Sequence, residues 1–357
     1  MRALLACLPF ALCLAGPDTL RLQVEPLPAA TRALLEQGKS GRHLFVQEGW
    51  FTWCPSLLRE SSGRWRLFHS RWPQSRSFAG WLTHSEIASA AGESPEGPFA
   101  FHSTALPAGD GADGAWFNAH NPKIERFGDR HWLHFIRTRG EGMDEEGRAA
   151  VARTGPSHAA WKRDLRPNQR TFAARSATLD GPWDILPEPL VEPSGPIRVL
   201  AVNPAVVARP QGDYLMIVKG DRPGARDFVR NQAVALAPEP SGPWRLQPEP
   251  VIADLDTEDI SAWHDSVRGR YYAVFHATGR DGFIGMMTSE DGVRWTRAAQ
   301  FRLTDKRLRF DDGTSLAPTM LERPWVLRDD QGRPTHLLCA VGLRATTGIV
   351  ILRLSER

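Results

Sequence analysis

The stretch "HNPKIERFGDRHWLHFIR", residues 120–137, has the pattern of a β-hairpin. A polar pair and a proline open it, apolar and polar side chains then alternate, and Gly128-Asp129 separates two alternating halves. Such alternation is typical of a strand, because successive side chains point to opposite faces of a sheet. The polar opening is unusual, since strands are enriched in residues such as Val and Ile. What the polar opening faces is therefore the central question of this sequence.

Four further stretches repeat this hairpin, each with a strand, a short turn that contains glycine, and a second strand rich in aromatic and β-branched residues. They are "WCPSLLRESSGRWRLFHSR" from Trp53, "VNPAVVARPQGDYLMIVKG" from Val202, "EDISAWHDSVRGRYYAVFH" from Glu258 and "ERPWVLRDDQGRPTHLLCA" from Glu322. A third strand follows each hairpin, and in four repeats a turn such as "DGPW" leads into a fourth strand. Sheets of this size must stack around an axis to bury their faces. The sequence therefore predicts an all-β fold, a five-bladed β-propeller with four antiparallel strands per blade.

The fifth repeat lacks a fourth strand of its own. "LRLQVEP", residues 20–26, is a candidate to complete it. Two stretches outside the repeats have helical character, namely "PAATRALLEQ" from Pro28 and "PSHAAWKRDL" in the long loop of the second repeat.

The N-terminus has the features of a secretory signal peptide. "MRALLACLPFALCLAG" carries one positive charge and then an apolar run that ends in small residues. The run is shorter than the roughly 20 apolar residues of a membrane span. We therefore predict a signal peptide at 1–16, an N-terminal segment at 17–49, a propeller at 50–357, and a secreted or periplasmic protein. "LLAC" before Cys7 also resembles a lipoprotein box, but cleavage near Ala15 is the preferred interpretation.

Composition limits the class of protein and its partners. The 357 residues are 41% hydrophobic and 24% charged, with a net charge of +3. The chain is long enough for one large all-β domain, and the positive excess is too small to indicate binding of nucleic acid. Cys54 and Cys339 remain after removal of the signal peptide. They are compatible with one disulfide or with two buried thiols, and we prefer the thiols.

Polar residues open the first strands of the repeats at equivalent positions. Immediately before the strands stand Cys54, Asn121, Asn203, Asp259 and Arg323. One residue earlier stand Trp53, His120, Val202, Glu258 and Glu322. The first strand of each propeller blade is innermost, so we expect these residues to converge on an axial pocket. The alternative is that each one is only a turn former or a cap.

Loops on the same rim add charge to this expected pocket. They are rich in arginine and lysine, including Arg71 and Lys219, which favours an anionic sugar as substrate. The acidic stretch "ADLDTED", residues 253–259, offsets that charge.

Aromatic residues near the rim are candidates for stacking on sugar rings, with core packing as the alternative. These candidates are Trp53, Trp72, Trp116 and Trp263. No spacing typical of a phosphate loop, a zinc site or a serine nucleophile occurs, so no cofactor and no metal is predicted. His120 and His264 could still share an axial ion or water molecule.

The strand starts "HNP", "VNP" and "ERP", the stretches "GDYLMIVKG" and "EDISAWHD", and the "DGPW" turn give the sequence a family resemblance. It resembles the five-bladed propeller glycoside hydrolases of families 43, 32 and 117, over nearly the whole chain from about Trp50. The resemblance implies that acids at inner strand starts cleave a glycosidic bond, one as proton donor and another as base or nucleophile. Family 43 places its base, an aspartate, at the start of the first blade, where this chain has Cys54.

The acids of this chain lie instead in the fourth and fifth repeats. Glu322, in "ERP", resembles the family's proton donor, so we predict Glu322 as acid and Asp259 as base, with Glu258 holding or tuning the pair. Carboxyls about 6.5–9.5 Å apart would indicate inversion, and about 5 Å retention. His120 is a further candidate acid or base, as some family 117 relatives resemble it in using histidine. The predicted substrate-binding residues are His120, Asn121, Asn203, Asp221, Lys219, Arg323, Arg71 and Trp53.

Two functions of different class remain open at this stage. The first is a secreted glycoside hydrolase that removes sugars from the ends of oligosaccharides or polysaccharide fragments. The alternative is a lectin-like propeller that binds glycans without cleaving them, because the acid of the first blade is missing.

Overall fold

The computed structural model describes residues 15–109, 116–140, 142–155, 157, 159, 161–226, 228–279, 281–344 and 346–357. The predicted signal peptide, including Cys7, lies outside the described residues except for its last two positions. Signal cleavage and lipidation therefore stay predictions. No helix among the described residues has the length and apolar content that crossing a bilayer requires.

The chain folds mainly into short antiparallel strands. They are β1 (Leu22–Val24), β2 (Leu44–Phe45), β3 (Trp50–Arg59), β4 (Trp65–Pro73), β5 (Glu86–Gly92), β6 (Ala100–Leu106), β7 (His120–Phe127), β8 (Arg130–Thr138), β9 (Gln169–Ser176), β10 (Asp184–Ile185), β11 (Arg198–Ala208), β12 (Tyr214–Asp221), β13 (Arg230–Ala237), β14 (Arg245–Pro250), β15 (Thr257–Asp265), β16 (Arg270–Ala277), β17 (Phe283–Ser289), β18 (Thr296–Thr304), β19 (Leu308–Arg309), β20 (Ser315–Leu316), β21 (Met320–Arg328), β22 (Pro334–Gly342) and β23 (Thr347–Glu356).

The predicted hairpins are all present. They are β3–β4, β7–β8, β11–β12, β15–β16 and β21–β22, and each is antiparallel. The third strands β5, β9, β13, β17 and β23 pair with the second strands, and β6, β10, β14 and β18 follow as fourth strands in four of the units. A tight turn precedes three of these fourth strands, β6, β10 and β14, and Gly97, Gly181 and Gly242 adopt positive φ in these turns.

The first strands of the five units form a closed ring. Contacts run from β3 to β7, from β7 to β11, from β11 to β15, from β15 to β21 and from β21 back to β3. A parallel bridge between Ala201 and Arg170 also joins the second and third units into one eight-stranded sheet. The predicted all-β propeller fold is confirmed by this arrangement.

The N-terminal segment belongs to the fifth unit. Strand β1 pairs with β23, with Leu22 opposite Glu356, and β2 pairs with the same strand farther along. Leu20 and Leu27 are buried in the core between the fourth and fifth units. The stretch at 20–26 therefore completes the fifth sheet, and residues 17–49 are an integral part of the propeller.

Apolar side chains fill the gaps between neighbouring units. Residues of neighbouring units share one buried cluster in each gap, for example Phe68 and Ile124, Leu215 and Phe275, Tyr272 and Leu337, and Leu57 and Leu338. Between the second and third units, the partly buried rings of Phe127 and Tyr214 pack edge to face. Burial of this surface is the main favourable contribution to folding. Because the apolar cores lie between the sheets, the axis is left to other side chains.

Helices lie outside the sheets. The α-helices are α1 (Ala30–Gln37), α2 (Trp81–His84) and α3 (Glu145–Thr154). The first matches the helical stretch predicted from Pro28 and ends at Gly38, whose φ is 63°. In the second predicted stretch the structure has a π-helical turn over Trp161–Leu165. This turn and α3 belong to the long insert between β8 and β9.

Candidate active site

The residues that open the first strands share an uncommon backbone conformation. Cys54, Asn121, Asn203, Asp259 and Arg323 all have φ between 54° and 61°. A register shift interrupts each hairpin at the same place. Such a bulge re-aims a side chain, and a left-handed residue other than glycine costs roughly 1–2 kcal/mol. Strain repeated in every unit is typical of a functional site.

The re-aimed side chains form a hydrogen-bonded chain across the axis. Asn121 Nδ2 donates to Asn203 Oδ1 at 3.0 Å, and Asn203 Nδ2 donates to Asp259 Oδ1 at 2.6 Å. The Arg323 guanidinium donates to the same Asp259 oxygen from the fifth unit. The structure thus brings four predicted residues together at one point of the axis.

The first-unit side of the axis is neutral and aromatic. Cys54 Sγ lies 3.5 Å from His120 Nε2, and His120 Nδ1 lies 2.9 Å from Ser85 Oγ. The imidazole packs between the rings of Trp72 and Trp81. Burial lowers the pKa of His120 well below its usual value and raises that of Cys54 to about 12. These neutral groups are a wall of the site, and a role for His120 as acid or base is not favoured.

Three carboxyl groups stand on the opposite side, in the fourth and fifth units, and their environments differ. Glu258 Oε2 accepts from Lys219 Nζ at 3.0 Å and lies 3.4 Å from Arg230 Nε. Burial opposes ionisation of Glu258, but Lys219, Arg230 and the other nearby cations together bring its pKa well below the usual range. Glu258 is therefore ionised.

The pKa of Glu322 is shifted in the opposite direction. Burial raises its pKa from 4.5 to about 7, and the negative charges of Glu258 and Asp259 act in the same direction against Arg323 and Lys306. Burial also raises the pKa of Asp259, against the neighbouring Arg323. A carboxylic acid that holds its proton near neutrality thus lies close to a carboxylate that does not.

A cavity of 180 Å³ opens on this rim. It is lined by Trp81, Trp161, Arg166, Gln169, Leu200, Asn203, Lys219, Phe228, Arg230, Glu258 and Arg323. Pockets for drug-sized ligands measure about 300–1,000 Å³, so this one suits a small group.

Several lining residues were missed by reasoning from the repeats. Trp161 and Arg166 come from the second-unit insert, Trp81 from α2, and Phe228 from the loop before β13. Arg166 binds the carboxylate of Asp221, with Nη1 to Oδ2 at 2.6 Å, and its guanidinium lies 4.5 Å above the Phe228 ring. Asp221 is thus engaged in a buried ion pair that fixes the insert. The only sequence signal for these residues was the arginine and tryptophan content of the loops.

Of the predicted substrate-binding residues, three line the cavity, namely Asn203, Lys219 and Arg323, and five do not, namely His120, Asn121, Asp221, Arg71 and Trp53. Arg71 and Trp53 are turned away from it altogether. The Arg71 side chain turns towards the outer strands, where Nε donates to Glu86 Oε1 at 2.7 Å and the guanidinium stacks on Trp50 and Phe101. Trp53 is only 2% exposed, packed against Phe78. Both side chains serve the packing of the first unit.

The other tryptophan candidates also lack an open ring face. Trp72 and Trp263 are buried in the core, and Trp116 packs against Phe172 and Arg139. The stacking role predicted for Trp53, Trp72 and Trp263 is therefore wrong. Aromatic faces at the cavity come instead from Trp81, Trp161 and Phe228.

The predicted sharing of an axial ion by His120 and His264 is not supported. His264 lies near the far end of β15 and packs on Tyr271, whereas both ring nitrogens of His120 already face protein atoms. Cys54 and Cys339 are free and buried, as preferred from the sequence. Among the described residues, the one group with the spacing of a metal site is Glu258, Asp259 and His276.

Comparison with known proteins shows the fold. No family model and no curated protein matches the sequence. Solved structures do match, including a family 117 glycoside hydrolase of the marine bacterium Zobellia galactanivorans, with a TM-score of 0.61, 14% identity and coverage of 96% of this chain and 91% of that one. The fold is that of the propeller glycoside hydrolases.

Two further solved structures are similar in fold to this chain. A thermostable family 43 glycoside hydrolase has a TM-score of 0.58 at 12% identity, over 86% of this chain and 93% of that one. An α-L-arabinofuranosidase from Lactobacillus brevis has a TM-score of 0.54 at 12% identity, over 85% and 90% of the two chains. The structural resemblance predicted from the strand starts is confirmed by these matches.

Proposed function

We propose that this protein is a glycoside hydrolase that removes a terminal sugar from an oligosaccharide bound in the axial cavity. The observation that carries the proposal is the pairing of unlike carboxyl groups. Glu322 has a pKa of about 7, while the pKa of Glu258 lies well below the usual range. Glycoside hydrolysis needs one carboxylic acid and one carboxylate beside the same bond.

In this proposal Glu322, which is not itself among the lining residues but directly precedes the lining residue Arg323 on β21, donates its proton to the glycosidic oxygen as the bond between that oxygen and the anomeric carbon breaks. A water molecule adds its oxygen to the anomeric carbon, and Glu258 takes the proton that this water releases. The base was predicted at Asp259. Glu258 fits better because it is ionised and lines the cavity, whereas Asp259 Oδ1 is held by Asn203 and Arg323.

Asp259 then has a supporting role. It is 1% exposed and receives hydrogen bonds from two side chains of neighbouring units. Its charge helps to raise the pKa of Glu322, since like charges disfavour ionisation. Asp259 therefore helps to keep the proton donor protonated.

The cavity favours a small and neutral sugar. Each lining cation already faces a carboxylate of the chain: Arg166 with Asp221, Lys219 with Glu258, Arg230 with Asp256, and Arg323 with Asp259. An anionic substrate would have to compete with these pairs. The volume of 180 Å³ and the aromatic faces of Trp81 and Phe228 suit the ring of one terminal sugar, which is the basis for exo-action. With the signal-like N-terminus, we place this activity outside the cytoplasm.

Turnover of plant and algal oligosaccharides, followed by mass spectrometry, tests the proposal. We expect the wild-type protein to release monosaccharide and Glu322→Gln to release none. Aryl glycosides with good leaving groups need no proton donor, so Glu322→Gln should still cleave them. Failure of the wild-type protein on every glycoside would contradict the proposal.

One observation favours the alternative, a lectin-like propeller. The first unit opens with Cys54, whose thiol has a pKa raised to about 12 by burial and cannot act as a base at neutral pH. Calorimetric binding of oligosaccharides without any product, in both wild-type protein and Glu322→Gln, would identify this second function.

A further inference from the structure

The Lys306 side chain approaches the carboxyl groups of Glu322, Glu258 and Asp259, although Lys306 itself does not belong to a first strand. It lies in the turn between β18 and β19, with φ of 61°. A side chain other than Gly, Asn or Asp rarely adopts this conformation, so the turn is strained at Lys306. The Nζ atom lies 2.5 Å from Nε2 of His276, on β16. The strained turn thus places the ammonium group of Lys306 against the imidazole of His276.

This contact fixes which nitrogen of His276 carries hydrogen. Burial lowers the pKa of Lys306, while the nearby charges of Glu322, Glu258 and Asp259 favour its ammonium form. In that form Lys306 has only hydrogens to donate, so Nε2 accepts. Burial lowers the pKa of His276 to about 3, with Lys306 acting in the same direction against the charge of Glu258. The ring is neutral at pH 7. Its single N–H hydrogen is therefore on Nδ1.

The protonated Nδ1 faces both carboxylates of the fourth unit. It lies 3.9 Å from Glu258 Oε1 and 3.9 Å from Asp259 Oδ2. These separations are too long for direct hydrogen bonds. Within the described part of the chain, His276 Nδ1 and Asp259 Oδ2 are buried without a hydrogen-bond partner. An oxygen about 2.8 Å from each atom would satisfy both.

The donor set matches a water molecule. Nδ1–H offers one hydrogen, and the two carboxylate oxygens can accept the two hydrogens of water. The same three residues have ligand atoms within 4.8 Å of one another, which is the spacing of a metal site. A metal ion, however, needs the Nδ1 lone pair and would add charge beside Lys219, Lys306 and Arg323.

We propose that Lys306 is a positioning residue that holds His276 in the Nδ1–H tautomer and thereby makes Glu258, Asp259 and His276 a binding site for water rather than for a metal ion. The identity of this water as the attacking one rests on the proposed function. The tautomer and the metal preference do not depend on it.

Nitrogen-15 NMR of histidine-labelled protein tests the tautomer. The His276 signals are assigned by their loss in His276→Gln. We expect the Nδ1–H tautomer in the wild-type protein and its loss, with a rise of the Nε2–H tautomer, in Lys306→Met. Lys39→Met, which removes an exposed lysine, is the matched control and should leave the signals unchanged. A wild-type Nε2–H tautomer, or identical signals in Lys306→Met, would overturn the proposal.

Zinc titration tests the preference against metal. Lys306→Met removes one cation and frees the tautomer, so we expect it to bind Zn²⁺ at least tenfold more tightly than the wild-type protein does. The double variant Lys306→Met/His276→Gln should lose this gain. Equal affinity of the wild-type protein and Lys306→Met would contradict the proposal.

Kinetics test the role of the water. On a cleaved glycoside, we expect Lys306→Met to lower kcat by tenfold or more with KM nearly unchanged, because the substrate still binds while the water is misplaced. An unchanged kcat would remove the water from the mechanism. If no glycoside is cleaved at all, the proposed function fails, while the NMR and zinc results still decide the tautomer and the metal preference.

Discussion

The first strands of the first and fourth units open with the same backbone conformation, but the side chains at the two openings have opposite chemical character. Cys54 and Asp259 are equivalent residues with φ of 54° and 61°. Cys54 meets the neutral imidazole of His120 and lies in an aromatic cluster, and the charges of Arg323 and Lys123 act on it only through space. Asp259 instead forms an ion pair with Arg323 and lies 3.9 Å from His276 Nδ1. The repeat therefore determines where a side chain points, and the individual residue determines what it does there. The following predictions test this division, from the largest expected effect to the smallest.

Glu322→Gln should have the largest effect, on the charged side. Loss of the proton donor should lower kcat on unactivated glycosides by about 10²–10⁴-fold. Unfolding in urea should show a folded protein. Glu36→Gln, at an exposed position of α1, is the control and should keep full activity. Loss of activity in the control as well would point to a general effect of charge.

Asp259→Asn should destabilise the fold more than any change on the neutral side. Removing the charge leaves Arg323 buried without its ion-pair partner, which typically costs about 3–5 kcal/mol. Urea unfolding followed by circular dichroism measures this. A loss below about 1 kcal/mol would mean that Arg323 finds a new partner in Glu258 or Glu322.

Glu322 should also make stability depend on pH. Its pKa is near 4.5 in the unfolded chain and about 7 in the folded protein. Its contribution is therefore fully present below pH 4.5 and is lost as the pH rises to about 7, by up to roughly 3 kcal/mol. The difference in unfolding free energy between wild-type protein and Glu322→Gln, measured at pH 5 and pH 7.5, gives this quantity. Equal pH dependence of the two proteins would contradict the raised pKa.

Cys54→Ala should have the smallest effect. It removes a buried sulfur from the neutral wall, so we expect a loss of about 1 kcal/mol in unfolding free energy and activity within twofold of wild type. A tenfold loss of activity would show that the first unit takes part in the reaction. That result would break the comparison between the two sides.

The residues that open the first strands could be predicted because each repeat contains one at the same position. Aligning five hairpins places Asn121, Asn203, Asp259 and Arg323 at one position, and alternation of side chains fixes their strands. The same reasoning fails for Arg71, because alternation gives the face of the sheet but not the direction in which a long side chain extends over that face. Here Glu86 and the rings of Trp50 and Phe101 hold the guanidinium away from the axis.

Other site residues have no counterpart in the repeat. Trp161 and Phe228 lie in connections of irregular length, so no alignment shows that they meet. His276 and Lys306 lie at the end of a second strand and in a turn, and their contact depends on a left-handed backbone at Lys306. The change of the favoured base from Asp259 to Glu258 likewise depends on which cations surround each carboxylate. These cations come from different units, so the sequence does not show which of them lie near each carboxylate.

The pairing of β1 with β23 has a consequence for how the chain folds. Leu22 lies opposite Glu356, so the fifth sheet is built from residues near both ends of the described chain. Loop-closure entropy must be overcome before such a distant contact forms, which slows folding. During synthesis the other four units can assemble before β23 has been made and has paired with β1. The strained openings on the axis, which depend on all five first strands, would then be drawn together only at the last step, when the ring closes.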